Sequence, residues 1–539
     1  MLLIKNLKIN INADFSDVGN LFSTAVKIRL NNANITLFKK SVDSRKKDNI
    51  HFVCSFLIEG ENEDKILKQL KGFDVDYYTL PKYQYYDAFC QMKRPIVVGF
   101  GPAGMFAALH LAKSGLKPIV LEMGKDADSR LKDVKAFFEG EKINPKSNIQ
   151  FGEGGAGTFS DGKLSTGITN IRIRHVLEVL HSHGAAEQIL YDAKPHIGTD
   201  VLINVVKSIR KEIISLGAEV RFQNEVTHFK IENGRIKGVY VSTPNGDEFI
   251  ECDNVILAPG HSSRKLFEKL MHLNAYLLPK PFAIGVRAEH LQQHINASQY
   301  GKQADNKNLP VADYKLVCHL ENGRNVYSFC MCPGGEVVNA SSEEEGIVVN
   351  GMSNSARDGI NANSAILVNV NVTDYFKSSA LDGVKFQREI ENKAYIEGEG
   401  FAVCQTLGSF LKGEQNTPTN VLPSVKPKVK MGQIDKILPD FVTDSLKEGF
   451  KNFEKKIKNY SASDTLLTAP ETRSSSPVII YRDKTGQSNI RGLFPCGEGS
   501  GNAGGITSSA VDGLMCAESV IIVNNLKSLP DIDLSEYDL

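Results

Sequence analysis

The chain has 539 residues, enough for about three domains, because single cores stop growing near ~250–300 residues. Its 63 basic residues balance 63 acidic ones, so no overall field gathers nucleic acid or anionic membrane, and 41% hydrophobic with 23% charged residues argues against a disordered, collagenous or membrane-embedded chain. The opening MLLIKNLKIN lacks a signal-peptide pattern, and nine scattered cysteines suit reduced thiols better than a secreted disulfide framework, so a cytoplasmic protein with no membrane association is expected.

Residues 1–90 predict strand, helix, strand, strand, helix, strand, from LLIKNLKINI through VGNLFSTAVKIRL, NITLFKKSVD, IHFVCSFLIEG and EDKILKQLKG to VDYYTL. Alternation in IHFVCSFLI and the helical spacing of Ile66, Leu67 and Leu70 predict an N-terminal ferredoxin-like α+β domain with helices on one face of an antiparallel sheet. The basic run at 39–47 lies inside it. No aromatic interleaving of the kind an RNA-binding sheet uses accompanies that run, so a solvated loop is preferred and nucleic acid is an unlikely partner. YQYYDAFCQMKRP predicts a linker.

Residues 94–278 read as the first part of an α/β domain. IVVGF is a short apolar run of the kind buried on both faces of a parallel sheet, the helix PAGMFAALHLAKSG follows it, and KPIVLEM completes a βαβ unit. The glycine-rich residues 152–167 predict a loop, IRIRHVLEVLHSHG a helix, and TDVLINVVKSIRKEIISLG a second helix capped by Thr199 or Asp200. Strands joined by Asn-Gly turns then lead to VILAPG. Residues 279–474 predict an inserted α+β substrate domain containing the helix DSLKEGFKNFEKKIKNY. Residues 475–539 return to strand, glycine loop and helix, closing the first domain.

Gly99, Gly101 and Gly104 form GxGxxG between a buried strand and a helix, with Glu122 ending the next strand. Glycine permits the tight turn and close backbone approach to a pyrophosphate at the helix N-terminus, and the acidic side chain suits ribose hydroxyls. This predicts a Rossmann-like dinucleotide-binding domain. The flanking Pro102, Ala103, Met123, Gly124 and Arg130 join the candidate set.

Two further glycine loops favour FAD over NAD, because its long flavin end needs backbone N–H groups from distant segments. One is FGEGGAGTFSDGKLSTG, with Gly155, Gly157, Thr158, Ser160, Lys163 and Leu164 as candidates. The other is CGEGSGNAGGITSSA, where Gly497, Glu498, Gly505 and Ile506 open the last helix and Glu498 suits a ribose or ribityl hydroxyl. GTFSDGKL nearly matches a phosphate-binding P-loop but has Leu164 where a Ser or Thr would hold Mg²⁺, so Lys163 is read as neutralising FAD phosphates or a substrate.

The segments VVGFGPAGMFAALHLA, NIQFGEGGAGTFSDGKL, VILAPGHSSR, FCMCPGGEVV, NGMSNSARDGINANSAILV, APETRSSSPV and GEGSGNAGGITSSAVDG resemble the bacterial FAD-dependent, or NAD(FAD)-utilising, dehydrogenases over almost the full chain. The resemblance implies the FAD fold of the glutathione reductase class with an inserted domain and an N-terminal appendage. It also implies that Val226 meets the adenine through its backbone and that Ala258 and Gly260 line the FAD chain. No second strand-flanked GxGxxG exists for NAD(P)H. Either a nicotinamide cofactor binds transiently as electron donor or electrons come from a small-molecule organic substrate.

Cys330 and Cys332 in FCMCPGG are the candidate catalytic thiols, able to form a disulfide that exchanges electrons with a flavin, although packing is the common fate of buried cysteines. Gly334 and Gly335 would let that loop approach the flavin. Arg357, Arg473 and Arg482 either clamp an anion or form salt bridges, with salt bridges preferred. No metal-binding pattern occurs, and His181 and His183 point to different helix faces. The expected function is hydride transfer through flavin N5, with a flavin-loaded RNA-associated or sensory protein as the alternative.

Overall fold

The computed structural model describes residues 1–30, 32–89, 92–414 and 419–527. At the N-terminus, strands Leu2–Asn10, Ala33–Asp43, His51–Gly60 and Val75–Tyr77 form an antiparallel sheet whose spatial order is second, third, first, fourth. Helices Val18–Val26 and Glu63–Gln69 begin at Asp17 and Asn62, whose side chains accept from backbone N–H groups of the first turn, and they bury Phe22 and Ile66 against the sheet. Two cations of the basic run, Lys40 and Arg45, are engaged, while Lys39, Lys46 and Lys47 are exposed. Lys40 Nζ lies 4.3 Å above the Phe15 ring, Arg45 pairs with Asp43, and the Lys40 backbone bonds to Tyr191 and Ala193.

The expected linker has no regular structure but is firmly docked. Tyr83 stacks on His175 with ring centroids 4.3 Å apart, and its hydroxyl reaches His110 Nδ1 and Glu518 Oε1, both at 2.7 Å. Cys90 and Gln91 of that segment lie outside the described residues, as do residues 528–539.

Ile96–Val98, Ile119–Leu121, Glu219–Arg221, Val255–Leu257 and Leu493–Pro495 form an all-parallel sheet in the order 493–495, 255–257, 96–98, 119–121, 219–221. Alternate residues explain the continuous apolar runs. Val97, Val120, Ile256 and Phe494 pack under helices Pro102–Lys113, Thr199–Ser215 and Ile506–Lys527, whereas Ile96, Leu121, Val255 and Leu493 meet the antiparallel sheet of Glu225–Glu232, Arg235–Thr243 and Gly246–Glu251. The segment Ile506–Leu526 is long and apolar enough to cross a membrane, but 83% of its apolar window is buried inside the protein.

The N-cap of Thr199–Ser215 is Gly198, at φ +84°, rather than Thr199 or Asp200. Those side chains are drawn to tertiary partners, Thr199 Oγ1 to the Ser160 carbonyl and Asp200 to the Ser355 N–H and hydroxyl, each at 2.7 Å. The chain between 279 and 474 builds a seven-stranded mixed sheet, ordered 317–319, 325–332, 361–370, 282–291, 466–471, 402–406, 429–431. Its helix, expected over 444–460, runs Asp440–Glu454, starting four residues earlier, directly after Pro439, and ending six residues sooner.

Candidate active site

A cleft of about 1760 Å³ separates the parallel sheet's C-terminal loops from the seven-stranded sheet. Its first wall is the turn from Val98 into helix Pro102–Lys113. Gly99 has φ +93°, and a Cβ there would stand 2.2 Å from the Ala258 carbonyl; a Cβ on Gly104 would stand 1.9 Å from that of Gly99. Gly101 ends the turn with no side-chain cap, leaving first-turn N–H groups for an anion, and Pro102 opens the helix.

Glu122 is 5% exposed and accepts N–H groups from Phe100 at 2.8 Å, Gly124 at 2.9 Å and Gly152 at 3.1 Å. A carboxylate offers about four lone-pair sites, so one remains for a ribose hydroxyl. The second loop locks against the first through Gly154 N–H to Phe100 O at 2.8 Å, and a Cβ on Gly155 would come 3.0 Å from Gly101 Cα. The third loop crosses beside it, where Ile506 would meet a Cβ on Gly157 at 3.0 Å.

Gly99, Gly101, Pro102, Ala103, Glu122, Met123, Gly155, Gly157, Ser160 and Lys163 line this one cleft, as do Val226, Ala258, Gly260, Gly497, Glu498, Gly505, Ile506 and Cys330. Six expected residues do not. Gly104 is inside the helix, Thr158 and Leu164 are buried beneath the loop, and Gly124 faces a separate small pocket. Arg130 is buried at 0% exposure because its guanidinium is consumed by the carbonyls of Asn148, Ile149, Gly152 and Glu153; it shapes the second loop. Cys332 lies beneath Cys330.

Family models match in two places: "FAD dependent oxidoreductase" over residues 203–324 and "FAD-dependent protein, C-terminal domain-like" over residues 281–474. A protein of Clostridium beijerinckii, described as an uncharacterized protein, is 43% identical over 524 residues, 95% of this chain and 98% of that one. The chain belongs to the FAD-dependent oxidoreductase family. Solved structures similar to this oxidoreductase include a glycerol-3-phosphate dehydrogenase from Bacillus halodurans complexed with FAD (TM-score 0.35, 11% identity, 83% of this chain and 66% of that one). A glycine oxidase from Bacillus cereus is another (TM-score 0.32, 12% identity, 80% and 98%). Likeness of this degree assigns no chemistry.

In the oxidoreductase, Cys330 lines the cleft and Cys332 is fully buried. The pairing of Asn325–Cys332 with Asn361–Val370 slips between Phe329 and Cys332, and this bulge puts Cys330 at φ +43°, a conformation that side chains rarely adopt. The bulge turns Cys330 into the cleft while its carbonyl is held by Arg287 Nη1 at 2.8 Å. The hydrogen bond from Cys332, with the charges of Lys163 and Arg287, pulls the Cys330 thiol well below the ordinary thiol range. The same contact and burial push Cys332 up.

Burial opposes charge on Lys163, yet the two thiols and Asp161 raise its pKa. Its Nζ stands 2.9 Å from Asp161 but makes no well-directed hydrogen bond among the described residues. Glu498 is half-buried; burial lifts its carboxyl to about 7 against the Gly505 N–H and Lys280.

Several sequence expectations change here. Gly334 and Gly335 do not line the cleft; the space of a Cβ on Gly334 is filled by the Arg357 carbonyl at 1.8 Å, so these glycines seat one strand turn against another. Arg357, Arg473 and Arg482 form the preferred salt bridges, with Asp161, Glu391 and Asp512. A second thiol pair went unseen: Cys496 and Cys516 converge with Asp512, the three ligand atoms lying within 4.8 Å of one another. Arg482 occupies that group, 3.1 Å from Asp512 Oδ2 and 3.4 Å from Cys516 Sγ, and its charge opposes a bound cation. Arg287 and Glu471 were also missed, although a charged residue within the apolar run FAIGVRAEHL was the available signal.

Proposed function

We propose that this FAD-dependent oxidoreductase moves a hydride between a small-molecule substrate and flavin N5, with Cys330 and Cys332 as a thiol pair that takes part in the electron exchange. The placement of Cys330 carries this reading: a strained bulge holds it in the cofactor cleft beside Lys163 and over Arg287. Bound FAD would supply two-electron exchange at N5.

The cleft fits the cofactor residue by residue. The turn that starts at Gly99 and the uncapped helix start would hold the pyrophosphate, Glu122 a ribose, and the Val226 backbone the adenine. Gly155, Gly157, Ser160, Lys163, Gly497, Glu498, Gly505 and Ile506 would hold the ribityl and flavin end, in the manner of the glutathione reductase class. Domains at 1–90, 94–278, 279–474 and 475–539 follow, the first with the strand order of a ferredoxin-like plan, in a protein placed in the cytoplasm. Reduction of a disulfide between the two would break one S–S bond and take up two electrons and two protons, the load that a flavin reduced by hydride from NAD(P)H or from the organic substrate would pass on.

The test is the visible spectrum of the purified protein before and after anaerobic NADH or NADPH, with free thiols counted in each state. Flavin bands and two thiols that appear only on reduction are the expected result. A colourless protein that does not take up FAD removes the cofactor reading, and an unchanged thiol count removes the role of Cys330 and Cys332.

A further inference from the structure

The cleft wall facing the glycine loops is one side of the seven-stranded sheet, and register fixes what it presents. Leu367 pairs with Gly285 on one side and Tyr327 on the other, while Ala365 pairs with Arg287 and Phe329. Side chains alternate along a strand, so these residues share a face, while Ile284, Val286, Ile366 and Val368 enter the opposite core. Ala283, Ala365 and Leu367 form a small apolar cluster of their own, with Tyr327 packed against it.

Of that cluster Ala283 reaches the cleft and is its floor there, while Ala365 and Leu367 are fully buried. At Gly285 a Cβ would stand 1.9 Å from the Ile366 carbonyl, so the strands leave no room for bulk there. Tyr327 and Phe329 border the floor on one side and the Arg287–Glu471 ion pair borders it on the other. Both aromatic rings line the cleft, and Phe329 remains 44% exposed within it. Aromatic rings left uncovered beside a small apolar side chain complement another ring. Room exists for one, since the cleft's 1760 Å³ exceeds the roughly 300–1,000 Å³ of a site for a single small ligand.

We infer that Tyr327 and Phe329, with Ala283 beside them, form a subsite for a flat conjugated ring belonging to the reaction partner. The ring is that of a nicotinamide or of a quinone, and the inference rests on the reading that FAD occupies the rest of the cleft. The floor and aromatic edge carry no charge, so they select the ring through contact area and stacking.

The test titrates wild-type, Phe329→Ala and Tyr327→Ala holoprotein with oxidised NAD or NADP, and separately with menadione. Binding is followed by perturbation of the flavin spectrum and independently by calorimetry. One ligand class should bind saturably, about ten-fold more weakly in each alanine variant with flavin content unchanged, and Phe329→Leu, which keeps bulk without a ring, should fall between. Saturation by the dinucleotide identifies the ring as a nicotinamide; saturation by menadione identifies it as a quinone. Wild-type affinity in both alanine variants, or no saturation of the wild type by either ligand, overturns the subsite while the flavin bands leave the cofactor reading standing. Absence of those bands, without uptake of FAD, instead removes the cofactor reading and this inference with it.

Discussion

Arg287 and Glu471 form an ion pair buried from solvent directly below the Cys330 bulge, with Nη2 to Oε1 at 3.1 Å and Nε on the second oxygen. The remaining guanidinium donors reach the Cys330 carbonyl, Asn363 and Asn350. Removing one partner strands the other charge. Arg287→Met should destabilise the protein by about 3–5 kcal/mol in urea unfolding, and the double variant Arg287→Met/Glu471→Leu should recover most of that loss.

Lys163→Met should weaken the Cys330 thiolate. Because Cys330 has a depressed folded-state pKa, its contribution to stability is complete above the ordinary thiol range and is lost as pH falls through the folded value. Alkylation by iodoacetamide, followed against pH, should stay fast well below that range in the wild type. In Lys163→Met the profile should move upward by about one unit, and an unmoved profile would exclude Lys163 as the activating charge.

Gly104→Ala and Gly504→Ala separate folding from cofactor capture. The first puts a Cβ 1.9 Å from the Gly99 carbonyl and should lower the melting temperature and abolish FAD binding together. The second meets nothing within 4 Å yet lies on the cleft wall. It should leave the melting temperature unchanged while raising the Kd for FAD, measured by flavin fluorescence on titration into apoprotein.

Stability should fall steeply in mild acid. Burial lowers the His110 pKa to about 3 and the His290 pKa to about 4, so both stay neutral in the folded protein while the unfolded chain takes up protons below its ordinary value near 6.5. Their contribution is complete above that value and is lost as pH falls toward 4, at a slope of at most about 2.7 kcal/mol per pH unit for two protons. Denaturation midpoints between pH 7 and 4 measure it, and His110→Phe should make the slope shallower by at most about 1.4 kcal/mol per pH unit, His175, His196 and His261 being pushed down as well.

The features readable from sequence are those whose geometry is local. Gly99, Gly101, Gly104 and Glu122 belong to one strand-turn-helix-strand unit, and the glycines at 155–157 and 497–505 announce loops by themselves. Arg287–Glu471 and Cys496–Cys516 bring together residues 184 and 20 positions apart, through sheet register in the first case and helix packing in the second, and neither is written in a local pattern. Arg130 looked like a ligand residue because a cation near a phosphate loop usually is one, but four backbone carbonyls claim it. Tyr83 looked like a linker residue because only the fold brings His110, His175 and Glu518 to it.

The parallel sheet gains its border strand at Leu493–Pro495, and the last helix, Ile506–Lys527, packs on Pro102–Lys113. The cradle is thus assembled from two stretches far apart in the chain, with Gly101 and Gly497 standing 396 positions from each other. A chain cut ahead of Leu493 would keep half a cradle and leave the apolar side of Pro102–Lys113 bare.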